Sequence, residues 1–264
     1  MHGFILRTEA TERLRMRLKY NVMENQIIQN IQPNLHKQLI KNVEGINYVR
    51  YPIKTHVVAG GESVPELIKK YVQPYLATGD TIFISEKMVA ITQNRSISIK
   101  DIKPSWLAEI AVKYTYKNPG GLGIATPWTM QMVIKEAGLP RFLFASFASI
   151  ITKPFGIKGM FYRVIGQRAK AIDGPIPHAM PPYNERVTLT PLHTNEVAQE
   201  IKNIFGHEAV IIDANDLGVE VLGKSSDAVK DSWACAVFKD NPLGQGREQT
   251  PLCIVRPFDS AQGK

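Results

Sequence analysis

Residues 209–218, Ala-Val-Ile-Ile-Asp-Ala-Asn-Asp-Leu-Gly, constrain the fold of this chain more than any other stretch. Four consecutive aliphatic residues read as a strand buried on both faces. Asp213, Asn215 and Asp216 follow at once, where that strand must leave the core. Oxygen ligands carried to a strand end by a rigid sheet are well placed to hold a hard cation. The same residues also suit a plain turn, because Asp, Asn and Gly are favoured there for backbone reasons. Both readings stand at this point.

At 264 residues, the chain has enough length to bury one large or two modest cores. Hydrophobic residues make up 44% and charged residues 21%, which argues against wholesale disorder. Cys235 and Cys253 form neither a disulfide framework nor a zinc site, and fit a reducing cytosol. The opening residues are too short an apolar run for a signal peptide. Leu139 to Thr152 is the most membrane-like segment; it contains Arg141, is too short to span a bilayer, and reads as a buried hairpin or helix. A net charge of +8 invites a nucleic-acid partner. The bases are dispersed, however, apart from Arg7, Arg13, Arg15, Arg17 and Lys19, and that cluster reads as a solvated helix face. Neither a nucleic acid nor a membrane is expected as partner.

Along the chain, residues 1–42 read as a polar, helix-prone extension. Tyr48 to Val58 alternates loosely as a strand. Ser63-Val-Pro-Glu66 has the spacing of a capping box, and Leu67, Ile68, Tyr71, Val72 and Tyr75 supply an apolar helical face after it. Thr81 to Ser85 is a strand, followed by Glu86 and Lys87. Leu107, Ile110, Ala111 and Tyr114 space out a helix, and Thr126-Pro127 starts another that Gly138 stops. Phe142 to Ala171 is basic and aromatic, hairpin-like in pattern, and leads to Asp173 before a Gly-Pro turn. A helix from Thr194 to Phe205, stopped by Gly206, returns the chain to the strand ending at Asp213. Helices and strands mix without regular alternation, so the expected class is α+β, with mixed or antiparallel sheets and packed helices.

The loop Asn241 to Thr250 precedes a last strand, Pro251 to Val255. Its glycines let backbone amides approach an oxyanion, and Arg247 can grip phosphate with paired hydrogen bonds. It serves equally as a surface connection. No Walker or Rossmann glycine motif occurs. The six histidines show no metal-ligand spacing; His178 lies near Asp173 in sequence but reads better as a surface or core residue.

The order of these pieces resembles the GTP-dependent coenzyme F-420: L-glutamate ligases, or gamma-glutamyl ligases, in a divergent branch. The residues that carry it are Val43-Glu-Gly45, the capping-box helix, Gly79-Asp80 with its strand, Lys103-Pro-Ser105, Ala171-Ile-Asp173, Val210-Ile-Ile-Asp213 and the Gln-Thr-Pro251 strand. The resemblance spans Val43 to Arg256, with residues 257–264 as a disordered tail. It implies an α+β homodimer that uses GTP with Mg2+ or Mn2+, and K+ as a further ion, to join L-glutamate to a carboxylate of a deazaflavin-type acid. It places the metal-binding aspartates on Asp173 and Asp213, with Asn215 and Asp216 as substitute ligands. Nucleotide contacts fall on Ile46, Asn47, Tyr48 and Val49, on Glu86 and Lys87, and on Gly244, Gln245, Gly246, Arg247, Gln249 and Thr250. Lys87 and Arg247 are the expected catalytic cations. The chain departs from the pattern at Ile91, where a lysine is expected, and at Ala214, where a threonine is expected. The asparagine expected after the first aspartate is missing from Gly174 to Pro177.

Overall fold

The computed structural model describes residues 31–115, 125–157, 159–177, 179–215 and 218–258. Among these, six strands form one mixed sheet in the order β1-β2-β8-β3-β6-β7. They are β1 (Ile40–Val43), β2 (Ile46–Ile53), β3 (Thr81–Ser85), β6 (Glu208–Asn215), β7 (Gly218–Lys224) and β8 (Leu252–Pro257); β4 (Ser96–Ser98) and β5 (Arg186–Thr188) pair separately. The helices are α1 (Val64–Tyr71), α2 (Glu86–Thr92), α3 (Trp106–Tyr114), α4 (Pro127–Ala137), α5 (Leu139–Thr152), α6 (Met160–Ile165), α7 (Gln167–Lys170), α8 (Thr194–Phe205) and α9 (Asp231–Phe238). The class is α+β, as the sequence pattern predicts.

Strand alternation splits the large sheet's side chains into two cores. Ile82, Ile84, Ala209, Ile211, Leu252 and Ile254 face α1 and α8, packing on Leu67, Ile68 and Ile201. Phe83, Val210, Ile212, Cys253 and Val255 face the other way, onto Val237 and Phe238 of α9. Both faces of β3, β6 and β8 are therefore covered, which is why these strands read as unbroken apolar runs. A third core, around Met130, Val133, Phe142, Ile165 and Val187, joins the helical region α3–α7 to the small sheet.

The pairing directions place the site. Strand β3 runs parallel to β6, with Ser85 opposite Ile212, and antiparallel to β8, with Ile84 opposite Leu252. The carboxyl ends of β3 and β6 thus share one edge with the start of β8, and ligands commonly gather outside such strand ends.

Several sequence expectations need correction. Residues 31–42, counted with a helix-prone extension, contain no helix and end in β1, whose backbone pairs with β2. Ser63 is the N-cap of α1, but its side chain makes no cap hydrogen bond, so the capping box does not close. Glu66 then contributes only as an acid in the first turn. The hairpin-like region is three helices, and α5 is not buried. Phe142 and Ala145 face the core, while Leu143, Phe144, Phe147, Ile150 and Ile151 are exposed. Nothing among the described residues packs over that arc. Pro257 and Phe258, counted with a disordered tail, continue the pairing instead: Pro257 ends β8 and Phe258 donates its N–H to the Asn47 carbonyl at 2.7 Å. The basic cluster Arg7 to Lys19, His178, Asp216 and the tail beyond Phe258 lie outside the described residues.

Candidate functional site

Four elements deliver acidic side chains to the shared strand edge. Glu86 opens α2 directly after β3. Asp213 lies on β6 one step beyond Ile212, so it sits beside Glu86. Glu220 of β7 pairs opposite Asp213. Asp173 is brought in by an isolated bridge to Thr188, each donating its backbone N–H to the other's carbonyl at 2.9 Å. That bridge extends the small β4–β5 sheet by one residue and points Asp173 at Lys87, whose Nζ lies 3.2 Å from Asp173 Oδ2.

These groups lie close enough to act on one another's charge. Burial pushes the Asp213 carboxyl up to about 6, and the charges of Asp173 and Glu220 add to it. A 3.0 Å hydrogen bond from Asn215 Nδ2 and the charge of Lys87 oppose the rise. Glu86 is raised well above the usual carboxylate range, by burial first and then by Asp213 and Asp173. Its Oε2 is buried without a hydrogen-bond partner. Four carboxylates held close together, with Glu86 buried, Asp213 half-buried and one lysine among them, are electrostatically frustrated. A divalent cation relieves such a cluster, although among the described residues no three His, Cys, Asp or Glu side chains already stand in ligand geometry.

Beside the acids opens a cleft of about 190 Å3. Its walls include Thr55 to Val58, Ser85, Lys87, Ile91, Tyr183 and the loop from Leu243 to Pro251, without Arg247. The loop reaches the site because β8 starts there: Pro251 accepts the Ser85 N–H at 2.8 Å. Gly244 has φ +77, a conformation open to glycine, and the Glu248 carboxylate is folded back onto the loop. Glu248 Oε2 accepts the Gly246 N–H at 2.7 Å, so a protein carboxylate occupies the ground an external anion would take.

The structure thus gathers Asp173, Asp213, Asn215, Glu86 and Lys87 on one side, and Gly244, Gln245, Gly246, Gln249 and Thr250 on the other. It does not gather the remainder. Arg247 is exposed and outside the cleft wall. Ile46 to Val49 occupy the opposite end of the β2–β8 pair, where Tyr48 matches Pro257 rather than the loop, and the Tyr48 ring packs on Trp233. Asp216 lies outside the described residues. Sequence reasoning missed Glu220 and Glu248, and took Glu86 for a nucleotide contact only. Glu220 was legible in principle, since pairing Asn215 with Gly218 sets Glu220 opposite Asp213. Ile91, where the resemblance expects a lysine, is a buried apolar wall of the cleft.

An α+β domain with acids at parallel strand ends beside a glycine-containing loop has the build of an enzyme that handles charged substrates. The sequence matches the family described as F420-0:Gamma-glutamyl ligase over residues 52–237. That covers most of the chain, and the chain belongs to this family; it is a carbon–nitrogen ligase by class. Comparison with curated proteins gives no match.

Proposed function

We propose that this protein is a GTP-dependent ligase that adds L-glutamate to a carboxylate of a deazaflavin coenzyme through an acyl phosphate. The observation that carries this reading is the convergence of Asp173, Asp213 and Glu86 around Lys87 at the cleft, with Glu86 Oε2 unpartnered. Amide formation from a carboxylate is uphill in water, so the acid must be activated first. Its oxygen attacks the γ-phosphorus of GTP, GDP leaves, and the glutamate amino group then displaces phosphate and loses a proton. The first step brings two anions together and depends on nearby positive charge.

Asp173, Asp213 and the Asn215 amide oxygen would hold Mg2+ or Mn2+, which supplies charge neutralisation and Lewis acidity at the phosphates. Lys87 adds a fixed cation on the same side. The backbone amides around Gly244 to Gly246 offer donors to phosphate once Glu248 swings away. Arg247, exposed on that loop, has the reach of a long side chain to close over a bound triphosphate. The cleft is smaller than a typical ligand pocket, about 300 Å3 or more, and has room for one charged moiety rather than a whole nucleotide. A homodimer in the cytosol, with K+ as a further ion, completes the reading.

A second reading is favoured by Ile91. An apolar wall where the resemblance expects a phosphate-facing lysine suits a relative that binds nucleotide without ligation, or a ligase for a different acid.

Mass spectrometry of a reaction containing GTP, Mg2+, glutamate and a panel of carboxylates separates these. A gain of one glutamyl unit, lost in Asp173→Asn and Asp213→Asn, is expected. GTP binding without release of phosphate, whatever acid is supplied, would sink the ligase proposal.

A further inference from the structure

Between Glu136 and Asp173 the sequence holds no Asp or Glu, yet it carries Arg141, Lys153, Lys158, Arg163, Arg168 and Lys170. The structure turns most of this stretch into a helical hairpin. Helices α5 and α6 pack through an edge-to-face contact of Phe142 on Phe161, and the turn between them begins Lys153-Pro154-Phe155-Gly156-Ile157. One side of the hairpin is fixed to the molecule by Phe142, Ala145 and Ile165. The other is apolar and, among the described residues, bare. Phe144 is 63% exposed, Phe147 61%, Ile150 70% and, at the turn, Phe155 78%, with Leu143 and Ile157 beside them. On a helical projection the exposed apolar positions of α5 span roughly 140°. Isolated exposed apolar residues are ordinary; a contiguous set rimmed by bases without one acid is not.

We propose that this hairpin seats the protein on the headgroup layer of an anionic phospholipid membrane. Three observations select that occupant. First, the exposed aromatic and aliphatic side chains lie along a helix and its turn, the arrangement by which interfacial helices enter the headgroup–acyl boundary. Second, Arg141 and Lys153 lie at the two ends of α5 and Arg163 and Arg168 on the two helices that follow, all four exposed, and they match lipid phosphate in charge. Third, the same charge disfavours a second copy: a two-fold contact would set this acid-free, basic face against itself. No helix among the described residues is long and apolar enough to cross a membrane, so attachment is from one side. This departs from the expectation that the protein has no membrane partner, and it does not rest on the ligase reading. Helix α7 leads from the hairpin to Asp173 through Ala171 and Ile172 alone, so seating the hairpin sets the distance of the acidic site from the lipid surface.

The test is co-sedimentation of the full chain with phosphatidylcholine vesicles, with and without phosphatidylglycerol, beside gel filtration without lipid. The wild type is expected to pellet with the phosphatidylglycerol vesicles and to be partly released by salt. Phe147→Ser combined with Ile150→Ser should lower partitioning about tenfold or more, with unchanged circular dichroism and melting temperature because both side chains are exposed. Phe155→Ser, at the turn, should act in the same direction. Failure to pellet with anionic vesicles overturns the proposal, as does equal pelleting of wild type and variants. A wild-type dimer that the double variant converts to monomer, with no vesicle binding by either, assigns the face to a second copy and overturns it too.

Discussion

Asp213 and Glu220 stand opposite each other across the β6–β7 pair, two carboxylates where a cross-strand pair of opposite sign would be stabilising. The arrangement costs folding energy in the cation-free protein, and Asp173 and Glu86 deepen the cost.

The pH dependence of that cost can be worked out for Asp213. Its carboxyl lies at about 6 in the folded chain, against 3.8 ordinarily. Below the ordinary value both states are protonated and the residue is neutral in its effect. As pH rises from there to about 6 the unfolded state ionises first, so stability falls, and above that the loss is constant. With chelator present, Asp213→Asn should therefore stabilise the protein near pH 8, on the order of 2 kcal/mol, and have little effect in acid. Urea titrations at the two pH values measure this. An asparagine variant less stable than wild type near pH 8 would refute it.

Adding Mg2+ should reverse the balance. A ligand that binds only the folded state stabilises it by mass action, and a hundredfold excess over Kd is worth about 2.7 kcal/mol. The wild-type melting temperature should rise by about 5 °C or more, while Asp173→Asn and Asp213→Asn stay nearly flat. Thermal melts with and without Mg2+ decide the point, independently of any turnover. A wild type that melts at the same temperature in both would remove the cation from the site.

How much of this was legible in the sequence differs by element. Strand β3, helix α4 with its Thr126 cap and helix α8 ended by Gly206 fall where their patterns predict, because each carries its own local signal. Asp173 and Asp213 were legible as strand-end acids. Their meeting was implied only by the family resemblance; no local signal carries it, since it depends on β3 and β6 running parallel and on the single bridge to Thr188. The outward face of α5 was illegible for a different reason. Its composition is that of a buried helix, and only the absence of a packing partner among the described residues shows otherwise. Ile46 to Val49 were placed by resemblance and Arg247 by its place on a glycine-containing loop, and neither carries information on where β2 or the loop side chain points.

Glu248 yields a prediction opposite in sign to the usual effect of mutating a site. Its carboxylate accepts the Gly246 amide, and its Cδ lies 2.5 Å from where a Cβ on Gly244 would stand. It therefore fills the concavity and would repel a phosphate entering it. Glu248→Gln keeps the size and an acceptor while removing the charge, and should tighten GTP binding about fivefold, roughly 1 kcal/mol of relieved repulsion. Isothermal titration with GTP reads this directly. Gly244→Ala, by contrast, should weaken binding, because any Cβ strains the positive φ that presents these amides. Unchanged affinity in Glu248→Gln would mean that phosphate does not use these amides.

Arg50 is fully buried and donates to Asp240 Oδ1 at 2.6 Å and Oδ2 at 3.0 Å, and to the carbonyls of Val237 and Gln38. Burial alone would raise the Asp240 carboxyl, but the hydrogen bond and charge of Arg50 outweigh it and hold the group at about 2. The two partners are unequal, because the Asp240 side chain keeps 35% of its exposure while that of Arg50 keeps none. Removing the arginine leaves a carboxylate that water can reach; removing the aspartate leaves a guanidinium that water cannot. Asp240→Ala should therefore cost about 3–5 kcal/mol, and Arg50→Met less, about 2 kcal/mol, despite deleting more hydrogen bonds. The wild-type contribution is present above the ordinary carboxyl value of 3.8 and disappears as pH falls towards 2, so the gap between wild type and Arg50→Met should narrow in acid. Denaturant titrations of both variants at neutral and acidic pH give the order. The reverse ranking would mean that the guanidinium finds other partners when Asp240 is lost.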